Sequence, residues 1–156
     1  MKLSFESRTP AATRRLGARL ARHLQAGDVV LLQGELGAGK TCLAQGIGKG
    51  LKVAEAVKSS SFVLVNEYTG RLKVYHADLF RLEDPGEVRD LALEENAADG
   101  LLLVEWPDRA WLELPPEHLL VTIDLLEERL RRISLEARGP RYEKLLAALA
   151  AEGVPA

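Results

Sequence analysis

Residues 34–41 read Gly34-Glu35-Leu36-Gly37-Ala38-Gly39-Lys40-Thr41. A glycine, four free positions and then Gly-Lys-Ser/Thr is the spacing of a phosphate-binding loop. Gly34, Gly37 and Gly39 allow backbone dihedrals barred to other residues and a close approach to a phosphate. The amides between Gly34 and Cys42, those of Glu35, Leu36 and Ala38 included, then form an anion-binding nest at a helix start, where the helix dipole also favours negative charge. In that arrangement Lys40 sets a point charge on the β- and γ-phosphates, and the Thr41 hydroxyl ligates Mg²⁺. The expected ligand is a nucleoside triphosphate with Mg²⁺.

A triphosphate with its metal also needs carboxylates. Glu105 follows four apolar residues, Leu101-Leu102-Leu103-Val104, and so stands at the carboxyl end of a buried strand, where ligands gather in open α/β sheets. Asp78 is placed by a hairpin. If Thr69-Gly70 is a two-residue turn, Val65 faces Val74 and Ser61 faces Asp78, bringing a hydroxyl and a carboxylate to one side of the sheet. His76 shares that side by the period of two and reads as a structural hydrogen-bonding residue. Trp106 precedes Pro107 and covers the nucleotide, serves as a docking surface, or simply packs beside the proline.

The elements that position these groups follow from periodicity. Thr9-Pro10 opens a helix whose Leu16, Leu20 and Leu24 form one stripe until Gly27. A strand over 29–33 leads into the loop, and a helix over 41–51 leaves it. Gly46, Gly48 and Gly50 either weaken that helix or allow close packing. Strands over 62–68 and 71–79 make the hairpin. Asp84-Pro85-Gly86-Glu87 caps a helix that closes near Asp99-Gly100, with Val88, Leu91 and Ala92 buried. Strands over 101–104, 119–125 and 130–137 follow, then a closing amphipathic helix over 141–150. Strands alternate with helices early and pair antiparallel late. The expected architecture is therefore an α/β, three-layer P-loop NTPase-like fold, with a parallel core plus an antiparallel hairpin and C-terminal strands. Residues 1–156 are expected to form one domain.

Composition bounds the rest. Hydrophobic residues make up 47%, charged residues 28%, and the formal net charge is −2. That balance gives no general pull toward DNA, RNA or anionic membranes. The one cysteine, Cys42, suits a reducing compartment. No apolar leader or spanning segment is read, so a cytoplasmic location is expected.

Several motifs together resemble the TsaE (YjeE) family. They are the loop itself, then Ser59-Ser60-Ser61-Phe62 running into Leu64-Val65-Asn66-Glu67-Tyr68, and His76-Ala77-Asp78-Leu79-Phe80-Arg81-Leu82. Asp84-Pro85 with Glu87, and Val104-Glu105-Trp106-Pro107, complete the set. The resemblance implies a small P-loop ATPase needed for N6-threonylcarbamoylation of adenosine 37 in tRNAs that read ANN codons. It implies TsaD and TsaB homologues as partners, with tRNA reached through their complex. It assigns Lys40 to the phosphates, Thr41 to Mg²⁺, Asp78 and Glu105 to the metal and attacking water, and a functional role to Trp106. Asp108 and Arg129 match nucleotide-contact positions. The family's usual Ser-Pro-Thr-Phe/Tyr is Ser-Ser-Ser-Phe here, so Ser61 keeps the switch-like hydroxyl while Ser60 lacks the stiffening proline. A small-molecule or nucleoside kinase is the alternative function, although no arginine-bearing lid is evident late in the chain. A GTP switch lacks any visible basis for guanine selectivity.

Overall fold

The computed structural model describes residues 1–35, 37–55, 57 and 65–153. Its strands are β1 (Lys2–Ser7), β2 (Val29–Gly34), β3 (Val65–Thr69), β4 (Lys73–Asp78), β5 (Gly100–Glu105), β6 (His118–Leu125) and β7 (Arg131–Arg138). Its α-helices are α1 (Pro10–Ala21), α2 (Lys40–Gly50), α3 (Gly86–Leu91), α4 (Leu93–Asn96) and α5 (Pro140–Ala151). The strands join in one sheet in the order β1-β7-β6-β2-β5-β4-β3. β2 runs parallel to both β5 and β6, and β4 parallel to β5, while β3, β7 and β1 pair antiparallel. The expected mixed sheet with a parallel core is thus the one observed.

Alternation along the central strands divides the core into two layers. Val30, Leu32, Leu101, Leu103 and Val121 face α1, α2 and α5, meeting Leu20, Leu43, Ile47 and Leu145. Val29, Leu31, Leu102, Val104 and Leu120 face the opposite way, onto Val88, Leu93 and Leu114. A strand buried on both faces reads as an unbroken apolar run, which is why β2 and β5 were recognisable in the sequence. α1 and α2 approach backbone to backbone, because a Cβ at Gly46 would overlap the main chain of Arg14 and one at Gly17 that of Leu43. Close packing is therefore what the glycines of α2 serve.

Several expectations need correction. α1 ends at Ala21, well before Gly27, although Leu24 beyond it is still buried. The helix expected up to Asp99 is two short ones, divided where Ala92 takes a left-handed conformation at φ 47. Val88 is buried there and Leu91 packs half-buried against the same cluster, as expected, but Leu93 and Ala97 complete that face in place of Ala92. β1 was not anticipated, although Leu3 and Phe5 alternate with Lys2, Ser4 and Glu6.

The hairpin register also differs. Val65 pairs with Ala77 rather than Val74, and Thr69 with Lys73. The connection is longer than two residues because it is docked. Arg71 N donates to Leu51 O at 2.5 Å, and Arg71 Nη2 to the carbonyls of Ala21 and Leu24 at 2.7 and 3.2 Å. A Cβ on Gly70 would overlap Leu51 O, so this glycine serves close approach rather than a tight two-residue turn. Ser61, once expected opposite Asp78, lies outside the described residues.

Candidate functional site

The loop leaves β2 at Gly34 and enters α2 at Lys40. Gly37 (φ 78) and Gly39 (φ 113) hold left-handed backbone at the bend, a conformation other residues adopt only at a cost. Gly39 caps α2 with no side chain, leaving the helix start open to a ligand. Lys40 is buried, and its ammonium donates to Gly34 O at 2.5 Å and Glu35 O at 2.8 Å. Burial lowers its pKa, opposed by the charges of Glu105, Asp78, Asp108 and Glu35. Two donors are engaged out of the three an ammonium carries. Thr41 and Cys42 are half-buried on the first turn of α2, and Arg14 Nη1 donates to Cys42 Sγ at 3.6 Å. Leu36 lies outside the described residues.

Parallel pairing, not the hairpin, delivers the acids. Asp78 and Glu105 are register partners at the carboxyl ends of β4 and β5, about 4.8 Å apart across the ladder. By the period of two they point to the same side as Leu103, the side on which α2 packs. Glu105 is 3% exposed and Asp78 is 8% exposed. His76 Nε2 donates to Glu105 Oε2 at 2.5 Å, while His76 Nδ1 is buried with no partner among the described residues. His76 therefore holds an acid, a structural role the sequence suggested without naming its partner.

Burial pushes the Asp78 carboxyl up. The neighbouring Glu105 adds to this, while the Phe80 amide donating to Asp78 Oδ1 at 3.0 Å opposes it. A carboxyl whose pKa is raised by folding costs stability at high pH. The cost is absent below the ordinary value of 3.8 and complete above the raised one. Asp78→Asn is therefore expected to stabilise the ligand-free protein by about 1 kcal/mol near neutral pH. The gain should shrink as pH falls through the raised pKa. Urea unfolding across that range checks it, and a gain independent of pH would contradict it.

Trp106 continues β5 with left-handed backbone at φ 60, which costs a residue of its size on the order of 1–3 kcal/mol. The strain turns its ring over Lys40, whose Nζ lies 4.2 Å from the ring centroid, and against Phe80 at 4.9 Å between centroids. Trp106 thus packs beside the loop cation and Phe80. A cleft of about 450 Å³ adjoins the loop, with Gln33, Gly34, Glu35, Trp106, Asp108 and Asp124 among its lining. Asp108 is exposed at its rim.

Arg129 is exposed on the turn between β6 and β7. The basic residue that reaches the loop is Arg131, donating to Ala38 O at 2.7 Å and Gly37 O at 3.3 Å. Arg131 was missed because nothing in the sequence states that β7 lies on the loop's flank. Among the described residues no three His, Cys, Asp or Glu side chains gather into a metal cage. No helix among them is long and apolar enough to cross a membrane.

Comparison with known proteins agrees with this geometry. Residues 7–133 match the family described as "Threonylcarbamoyl adenosine biosynthesis protein TsaE". A Nostoc protein named tRNA threonylcarbamoyladenosine biosynthesis protein TsaE is 49% identical over 104 residues, spanning 63% of this chain and 64% of that protein. The Bacillus subtilis protein of the same name is 37% identical over 146 residues, 92% of this chain and 91% of its own. The crystal structure of Bacillus subtilis YdiB matches with a TM-score of 0.87 at 32% identity, covering 99% of this chain and 97% of that one. A sequence match over most of the chain and a structural match over nearly all of it coincide, and the chain belongs to the TsaE family.

Proposed function

We propose that this protein binds and slowly hydrolyses ATP in support of N6-threonylcarbamoylation of adenosine 37 in tRNA. It acts in the cytoplasm on a complex of TsaB and TsaD homologues, and meets tRNA through that complex. The observation carrying the reading is the convergence of Lys40, Asp78 and Glu105 beside a glycine loop at the start of α2. Family membership supports the pathway. Slow turnover by the chain alone is supported by Arg131, the arginine at the loop, being engaged with loop carbonyls.

The residues suit Mg²⁺. Two buried carboxylates, close enough for Glu105 to raise the Asp78 pKa, form an oxygen-rich, cation-seeking pair, and Mg²⁺ prefers one or two carboxylates plus phosphate and water to a full protein cage. Thr41, Asp78 and Glu105 would hold it, and the ion would supply neutralisation of the phosphate charge.

In the proposed reaction the loop amides and Lys40 bind the phosphates, and Trp106 limits water around the Lys40 ammonium. Glu105, one oxygen held by His76, orients a water through the other. That water attacks the γ-phosphorus in line, its proton passing to Glu105 as the bond to the ADP oxygen breaks. The products are ADP and inorganic phosphate. Expression in TsaE-depleted bacteria, followed by mass spectrometry of tRNA nucleosides, tests the assignment. Restored threonylcarbamoyladenosine is expected. A soluble, ATP-binding protein that restores none, and moves the γ-phosphate to a metabolite instead, would make it a kinase.

A further inference from the structure

The described carbonyls of the loop are held by two different cations. Those of Gly34 and Glu35 accept from Lys40, the residue that must turn to the phosphates. Those of Gly37 and Ala38 accept from Arg131 Nη2 and Nε. Arg131 opens β7, paired with Leu125 of β6 and Ser7 of β1. In the strand order β7-β6-β2-β5-β4 it approaches the loop from the flank opposite to Asp78 and Glu105. By alternation with Ile133 and Leu135 it stands on the α2 side of the sheet. Its stem lies against the loop, with Cδ and Nε both 3.6 Å from where a Cβ of Gly39 would be.

A trans peptide is planar, with its N–H directed opposite to its C=O. Fixing the Ala38 carbonyl toward Arg131 therefore turns the Gly39 amide away from Arg131, into the loop. The Gly37 carbonyl does the same for the Ala38 amide, which donates to Glu35 O across the loop at 3.1 Å. Left-handed Gly37 and Gly39 give these peptides freedom, and that freedom costs order unless something fixes it. Guanidinium suits the task, because its donors form a rigid fork where an ammonium is a point.

We infer that Arg131 is a positioning residue for nucleotide binding, clamping the Gly37 and Ala38 carbonyls so that the following amides face the phosphates. The inference rests on the ATP-binding reading above. It assigns Arg131 no contact with the nucleotide.

Calorimetry with ATP and ADP, each with Mg²⁺, on the wild type, Arg131→Met and Arg131→Lys tests this, with urea unfolding of each protein alongside. Met preserves the stem and removes the fork. Its affinity for ATP and ADP should fall together by roughly tenfold or more, with the unfolding midpoint little changed. Lys keeps the charge yet should remain several-fold weaker than wild type, because one compact head cannot serve both carbonyls in the same geometry. Wild-type affinity in the Met variant would overturn the clamp. Full recovery by Lys would also overturn it, pointing to charge alone. If the Met variant does not fold, the Lys variant decides by itself. A wild-type protein that binds neither nucleotide would instead remove the ATP reading, an outcome distinct from failure of the clamp.

Discussion

Replacing Lys40 by alanine is expected to weaken ATP binding by at least roughly a hundredfold, a loss of about 3 kcal/mol or more. Two effects add. The ammonium that would meet the β- and γ-phosphates is gone. The charges of Glu105, Asp78, Asp108 and Glu35, which now face that ammonium, would then meet the incoming polyanion uncompensated. The fold should survive, because burial already penalises the Lys40 charge and its truncation removes that penalty. Calorimetry with Mg²⁺ and ATP, beside urea unfolding, checks both halves. Undiminished affinity in a folded Lys40→Ala protein would remove the loop from nucleotide binding.

The second large effect falls on turnover alone. Glu105→Gln should leave ATP affinity within a few-fold while lowering hydrolysis by about 10²- to 10³-fold. Glutamine keeps the shape and can still accept from His76, so the strand end should hold its place. The amide cannot take a proton from water. It also relieves the like-charge pressure on Asp78, so binding should not suffer and could tighten slightly. Release of inorganic phosphate, measured with affinity in the same preparation, separates the two parameters. Normal turnover in this variant would exclude Glu105 as the group that activates water. Loss of binding instead would show that its hold on Mg²⁺ or on the strand end, rather than activation of water, is its main contribution.

These two variants probe what was most legible in the sequence. The loop could be read because its chemistry demands glycines, a lysine and a hydroxyl at fixed local spacing, and no distant contact alters that need. β2 and β5 could be read because double-sided burial leaves an unbroken apolar run. Glu105 stood out as an acid at the end of such a run.

What escaped was settled by contacts between elements. The hairpin register is fixed by Arg71 binding the ends of α1 and α2, which a two-residue turn signal cannot reveal. Asp78 does not stand where it does through the two-residue hairpin turn, because the observed register pairs Val65 with Ala77. Its partner is Glu105, and that pairing follows from β4 and β5 lying side by side in parallel. The break at Ala92 has no local signal, since alanine favours an unbroken helix. Arg131 rather than Arg129 reaches the loop because strand order and side-chain reach decide it. Two positions of the sequence-based site, Leu36 and Ser61, lie outside the described residues.

The most direct test is a crystal structure with Mg²⁺ and a non-hydrolysable ATP analogue. It should place the phosphates against the main-chain amides of the loop, with Lys40 turned onto them and the carboxylates of Asp78 and Glu105 facing the terminal phosphate from the β5 side. A nucleotide bound elsewhere on the molecule, or a loop left empty at saturating analogue, would contradict the account.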